Sequence, residues 1–168
     1  DAFLVKFNEL GERQWATYYG SNPGTTIGLF CKVDLSGNVY LGGKTGANSG
    51  IAFEGFQNTL TITPGYTSED AFIVKFSSSG SRLWGTYFGG NSSDEGLFLD
   101  QDASGNIYFA GRTLSTTGVS NNGFQLLNGG SWDAFLVKIL DGAPVLDADG
   151  DGVPDANDCA PNDNTKYR

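Results

Sequence analysis

Residues 147–158 read Asp-Ala-Asp-Gly-Asp-Gly-Val-Pro-Asp-Ala-Asn-Asp. Counted from Asp147, carboxylates fall at positions 1, 3, 5, 9 and 12, and Gly152 falls at position 6. Ca²⁺ takes roughly six to eight oxygen ligands, so its site needs several short carboxylates gathered by a tight turn. Asp147, Asp149 and Asp151 supply side chains two residues apart, and Gly152 permits the sharp bend. Val153 offers its backbone carbonyl, while Asp155 and Asp158 complete the shell directly or through water. The last position of a helix-flanked calcium loop is usually Glu, whereas here it is the shorter Asp158. The flanks do not read as helices either, because Pro144 precedes the loop and Pro154 interrupts it. Hard oxygen ligands for Ca²⁺ imply a calcium-rich compartment, so an extracellular location is expected.

Catalytic chemistry is thinly provided. The chain has no His, which removes the commonest general base. There is no Gly-x-Ser-x-Gly elbow, the body offers only Arg13, Arg82 and Arg112, and no carboxylate pair stands out as a glycosidase dyad. Cys31 and Cys159, the two cysteines, form no recognisable disulfide framework. No catalytic and no organic-cofactor residues are therefore expected, and Ca²⁺ is the one cofactor implied.

The elements that must position the Asp ladder come from the remaining body. The 168 residues carry a net charge of −9, and 39% of them are hydrophobic, enough to form a core. From 145 to 168 there are six Asp against one Lys and one Arg, so acid is concentrated where a cation site needs it. An acidic chain without a basic patch argues against nucleic acid and anionic membrane as partners. No apolar run is long enough to span a membrane as a helix. Twenty-five Gly and a 13% aromatic content point to β structure rather than helices.

The body is an internal repeat. Asp1-Ala-Phe-Leu-Val-Lys-Phe7 recurs as Asp70-Ala-Phe-Ile-Val-Lys-Phe76 and as Asp133-Ala-Phe-Leu-Val-Lys-Ile139. Trp15 matches Trp84, Tyr18-Tyr19-Gly20 matches Tyr87-Phe88-Gly89, and Phe56-Gln57 matches Phe124-Gln125. Asp34-Leu-Ser-Gly-Asn-Val-Tyr40 matches Asp102-Ala-Ser-Gly-Asn-Ile-Tyr108. Within a unit, strands are expected over 3–7, 14–19, 28–33 and 39–43, joined by turns in which Asp and Ser bond the backbone and Gly and Asn tolerate positive φ. Four short strands per unit of ~60 residues predict propeller blades rather than a helical repeat. The expected architecture is all-β, with about two to three four-stranded antiparallel propeller blades over 1–143, the sequence repeat starting at 1, 70 and 133 in mid-blade, and an irregular calcium-binding segment over 144–168.

These motifs resemble the bacterial β-propeller repeat often called SBBP, over roughly residues 1–140. The resemblance implies blades of a secreted or surface protein, with Ser-Gly-Asn hairpins joining the inner strands. It also implies that further blades, from the same polypeptide or from other copies, close the propeller; of the two, a longer polypeptide is the expectation. Residues 147–161 resemble the thrombospondin type 3 repeat, which winds around Ca²⁺ with little regular structure. By position, that resemblance makes Asp147, Asp149, Asp151, Asp155, Asp158 and the Val153 carbonyl the ligands. It also implies that Cys159 pairs with a neighbouring repeat.

Individual positions carry expectations of their own. Cys31 aligns with Leu99 and is expected to be buried. Trp15 and Trp84 are expected to pack between blades, and Trp132 in a core or at an edge. Asp1, Asp70 and Asp133 are expected to cap turns or bond backbone, and Lys6, Lys75 and Lys138 to be solvated. The function expected is that of a non-catalytic scaffold or adhesin at the bacterial cell surface, meeting other protein chains or glycans. A polysaccharide hydrolase or lyase and a component of a surface or motility complex are the alternatives.

Overall fold

The structure, a computed structural model, describes residues 1–61 and 68–140. These residues are all-β, with nine strands and no helix. The strands are β1 (Ala2–Phe7), β2 (Arg13–Tyr19), β3 (Thr26–Val33), β4 (Val39–Thr45), β5 (Asp70–Phe76), β6 (Arg82–Phe88), β7 (Asp94–Gln101), β8 (Ile107–Thr113) and β9 (Asp133–Ile139). Each expected strand of the first unit is present and one or two residues longer than its alternation suggested. The strands form a first sheet β1-β2, a second β3-β4-β5-β6 and a third β7-β8-β9, and all neighbours pair antiparallel.

Short turns set this order. Asp34 Oδ1 accepts the N–H groups of Ser36 at 2.9 Å and Asn38 at 2.8 Å, and Gly37 takes φ +79° between β3 and β4. Asp102 repeats the device between β7 and β8, accepting Ser104 N at 2.9 Å and Asn106 N at 3.0 Å, with Gly105 at φ +84°. A side chain that satisfies the turn's own N–H groups favours the hairpin over other chain paths. The Ser-Gly-Asn turns thus join the first two strands of the second and third sheets.

The sheets bury one another's faces. Ala2, Leu4 and Tyr19 of the first sheet pack on Val39, Leu41, Phe72, Val74, Phe76 and Tyr87 of the second. The opposite face of the second sheet, with Tyr40, Ala71, Ile73 and Trp84, packs on Leu99, Ile107, Phe109, Phe135 and Ile139 of the third. All seven residues of β5 are consequently buried, and its Asp-Ala-Phe-Ile-Val-Lys-Phe run is the centre of the molecule. Trp84 is buried in the second of these seams, and Trp15 lies half-buried against the first, 6.5 Å from the Phe76 ring.

Two expectations are corrected. Cys31 is exposed, although its counterpart Leu99 is buried. Strand β7 lies against β3, β4 and β5, so Leu99 is covered, whereas β3 lies beside β1 and leaves Cys31 on an open groove. Lys75 is buried, not solvated. Its ammonium sits 3.6 Å from Asp34 Oδ2 and 5.1 Å from the centroid of the Tyr40 ring, which together accommodate the charge. Lys6 is half-buried and donates to Ser78 O, while Lys138 is exposed.

Candidate functional site

The ligand set read from the sequence, Asp147, Asp149, Asp151, Val153, Asp155 and Asp158, lies outside the described residues, as does Cys159. Among the described residues no three His, Cys, Asp or Glu side chains gather as a metal site. Polar side chains do converge at one end of the seam between the second and third sheets, and they do so because of the register.

Thr45 pairs with Asp70 across β4 and β5, and Asp94 pairs with Thr113 across β7 and β8. These strand ends are brought together when β7 lies on the second sheet, where Asp94 N donates to Glu69 O at 2.7 Å. Asp70 and Asp94 are then both fully buried. Asp70 Oδ2 accepts Gln57 Nε2 at 2.7 Å and Thr61 N at 3.1 Å. Asp94 Oδ2 accepts Gly90 N at 2.9 Å and Ser115 Oγ at 2.8 Å. The Oδ1 atom of each carboxyl is buried without a hydrogen bond. Gly89 stands between them: a Cβ there would fall 2.7 Å from Asp70 Oδ1 and 2.6 Å from Asp94 Oδ2.

Burial of this pair disfavours charge. It pushes the Asp70 carboxyl up to about 7, helped by the neighbouring Asp94 and opposed by the Thr61 N–H and Gln57. Burial also raises Asp94, against the Thr113 and Ser115 hydroxyls and the Gly90 N–H. A hydroxyl or amide donor stabilises a carboxylate, but these contacts do not offset the loss of water.

Beside the acid pair runs a chain of alternating charges. Lys44 Nζ lies 2.8 Å from Glu69 Oε2 and 3.0 Å from Glu95 Oε1. Arg112 donates to Glu95 Oε2 at 2.7 Å and places its guanidinium 4.4 Å from the centroid of the Trp132 ring. The hydrogen bonds that Lys44 donates to Glu69 and Glu95 raise its ammonium. Burial works against the Glu95 charge, yet the bonds from Lys44 and Arg112 outweigh it and hold Glu95 low. Lys44 and Arg112 are repeat counterparts, as are Glu69 and Trp132. A carboxylate partner in one unit is replaced by an aromatic face in the next, and both faces suit a cation.

Two of the three Asp positions at the head of the repeat, Asp70 and Asp133, behave alike. Asp133 accepts Gly129 N at 2.6 Å and Gln125 Nε2 at 3.2 Å, as Asp70 accepts Thr61 N and Gln57. The expected bonding to backbone is therefore present at Asp70 and Asp133, whereas Asp1 is exposed. Convergence of Asp70 with Asp94 was not read from the sequence. The available signal was that Asp94 occupies the repeat position of Thr26, which pairs by its hydroxyl with Thr45 at 2.8 Å.

In chemical terms the seam is an inter-sheet joint. Both carboxyls are sealed from solvent, so no substrate reaches them as an acid–base pair. A separate open groove of about 600 Å³ between β1 and β3 is lined mainly by apolar side chains, including Phe3, Ile27, Leu29 and Phe30. It carries Asp1 and Cys31 but no acid–base couple. Compared with known proteins, the sequence matches no family model and no curated protein.

Proposed function

We propose that this chain is a segment of a non-catalytic scaffold at the bacterial cell surface, with its sheets serving as propeller blades. In this reading the Asp ladder at 147–158 binds Ca²⁺ and stiffens the link between the blades and further modules. The carrying observation is that the two outer faces of the stack are repeat equivalents of its two buried faces. Phe30, Tyr40, Ala71 and Ile73 of the second sheet pack on the third sheet. Their counterparts on the third sheet are Phe98, Tyr108, Ala134 and Leu136, and Phe98 is 70% and Leu136 72% exposed.

The other end mirrors this. Phe72, Phe76 and Tyr87 of the second sheet are covered by the first. Their counterparts Phe3, Phe7 and Tyr18 face solvent, with Phe3 71% and Tyr18 81% exposed. Apolar faces of this size mark contact surfaces. The face at each end suits the face at the other, a head-to-tail relation that generates rings when the rotation closes. A further sheet of the same repeat, from the same polypeptide or from another copy, is the occupant that fits both. Presenting loops from such a rigid frame to protein chains or cell-surface glycans requires no catalytic residue.

Sedimentation velocity across a concentration series tests the stacking. Association that Leu136→Asp abolishes supports it, and a monomer at every concentration contradicts it. Calorimetric titration of the full chain with Ca²⁺ tests the ladder. Heat that disappears in Asp149→Asn/Asp151→Asn supports it, and no heat from the unaltered chain contradicts it.

A further inference from the structure

Two carboxyls from neighbouring sheets meet at one end of the second seam, and among the described residues no cation is left over to neutralise them. Lys44, from β4, is engaged by Glu69 and Glu95, and Arg112, from β8, by Glu95 and the Trp132 ring. From β6 comes Tyr87, whose phenol is pushed up to about 12 by burial and by the charge of Asp70, and so is neutral. Gln57, Thr61, Gly90, Thr113 and Ser115 contribute dipoles only. Two buried, adjacent negative charges without a counter-ion are too costly to persist, so something must occupy the pair.

The geometry selects the occupant. A calcium-like ion wants roughly six to eight oxygens. The orphaned Asp70 Oδ1 and the committed Asp94 Oδ2 both crowd Gly89, where the space does not admit even a Cβ, and each carboxyl has only its Oδ1 uncommitted. A proton needs one oxygen on each side. The first seam is the natural control. There Thr26 and Thr45 share a hydroxyl hydrogen bond at 2.8 Å, Ala47 stands for Ser115, and Asp1 is exposed.

We propose that Asp70 and Asp94 hold one proton between them and act as a proton-operated clamp on the seam between the second and third sheets. With one proton the pair is a buried acid–carboxylate couple that joins β5 to β7. When that proton leaves, two like charges face each other without water, and the seam loosens. The direction follows from linkage. A carboxyl whose proton is held more tightly in the folded chain contributes stability that is present below the ordinary Asp range, near pH 4. That stability is lost as pH rises through about 7, the Asp70 value. The clamp does not depend on the propeller or on the Asp ladder.

The test is urea unfolding of the full chain from pH 4.5 to 8, with chelator present, alongside carboxyl ¹³C NMR of its aspartates. The unfolding constant is expected to rise on the order of 100-fold across that range. One aspartate resonance is expected to titrate near neutrality. Asp70→Asn keeps an acceptor for Gln57 and Thr61 and supplies a permanent donor toward Asp94, so the rise should flatten. Asp94→Thr/Ser115→Ala, which installs the first seam's residues, should flatten it as well and serves if the Asn variant fails to fold. An equal pH slope in the unaltered chain and both variants overturns the proposal, as does the absence of any aspartate titrating above pH 5.5. Calcium that restores stability at pH 8 in an Asp149→Asn/Asp151→Asn background, but not when Asp70→Asn is added, also overturns it and makes the pair a cation site.

Discussion

The two seams of this molecule are built from one repeated set of apolar positions and two different sets of polar ones. In the first, Leu4 and Tyr19 face Leu41, Phe72 and Val74. In the second, their counterparts Ile73 and Phe88 face Phe109, Phe135 and Val137. At the strand ends the likeness stops. The first seam has a threonine pair and an exposed Asp1. The second has two sealed carboxyls and a four-member charge chain. Packing needs an apolar side chain at each of these positions, so the repeat preserves their character, whereas a polar end is free to change its hydrogen-bonding set. Divergence between repeat copies therefore collects where hydrogen bonding decides, and there one seam becomes sensitive to pH while the other does not.

The comparison breaks first in the cores. Phe72 and Phe109 are both fully buried, one in each seam. Replacing either with Ala should cost about 3–5 kcal/mol in chemical denaturation. A much smaller loss at Phe109 would mean that the seams are not equivalent in packing.

A pH profile sharpens it next. Two windows should bound an optimum in the acid range. Asp34 and Glu95 are held below the ordinary carboxylate range, so the stability they add is present above pH ~4 and lost as pH falls through their folded values. The acid pair removes stability as pH rises toward 7. A plateau from pH 5 to 8 would contradict this.

The hairpins provide a finer contrast. Asp34 holds three hydrogen bonds and sits 3.6 Å from the Lys75 ammonium. Asp34→Ala should cost about 2 kcal/mol, the order expected when a turn and the buried Lys75 charge lose their acceptor. Asp102→Ala removes the same turn bonds, but the ion pair beside that turn, Lys32–Asp100, is on the surface and does not include Asp102, so the loss should be smaller. Smallest of all is that surface pair. Lys32 and Asp100 lie 2.9 Å apart with side chains 43% and 76% exposed, and Lys32→Ala should leave the denaturation midpoint unchanged within error.

Much of this was legible in the chain. The thrice-written Asp-Ala-Phe segment became three equivalent strands, the Ser-Gly-Asn segments became hairpins, and the matched tryptophans went to matched seams. Local chemistry suffices for such features, because a turn is satisfied by residues two to four apart. The acid pair was not legible, since Asp70 opens the third strand of one sheet and Asp94 opens the first strand of the next. Nothing in a period-two pattern says which sheet end meets which. Cys31 failed for the same reason: alignment with Leu99 gives the side of the strand, but cover comes from a neighbouring sheet. Lys75 was misread because its partner Asp34 lies forty-one positions away, on the far side of β4.

The central claim is that the exposed end faces are docking surfaces for sheets of the same kind, met head to tail. Disulfide trapping reads this directly, in a Cys31→Ser/Cys159→Ser background that removes both native thiols. Chains carrying Phe3→Cys are mixed with chains carrying Leu136→Cys under mild oxidation. The account predicts that the mixed Phe3→Cys/Leu136→Cys dimer forms faster than either symmetric dimer. Symmetric Leu136→Cys dimers forming as fast as the mixed species would contradict it.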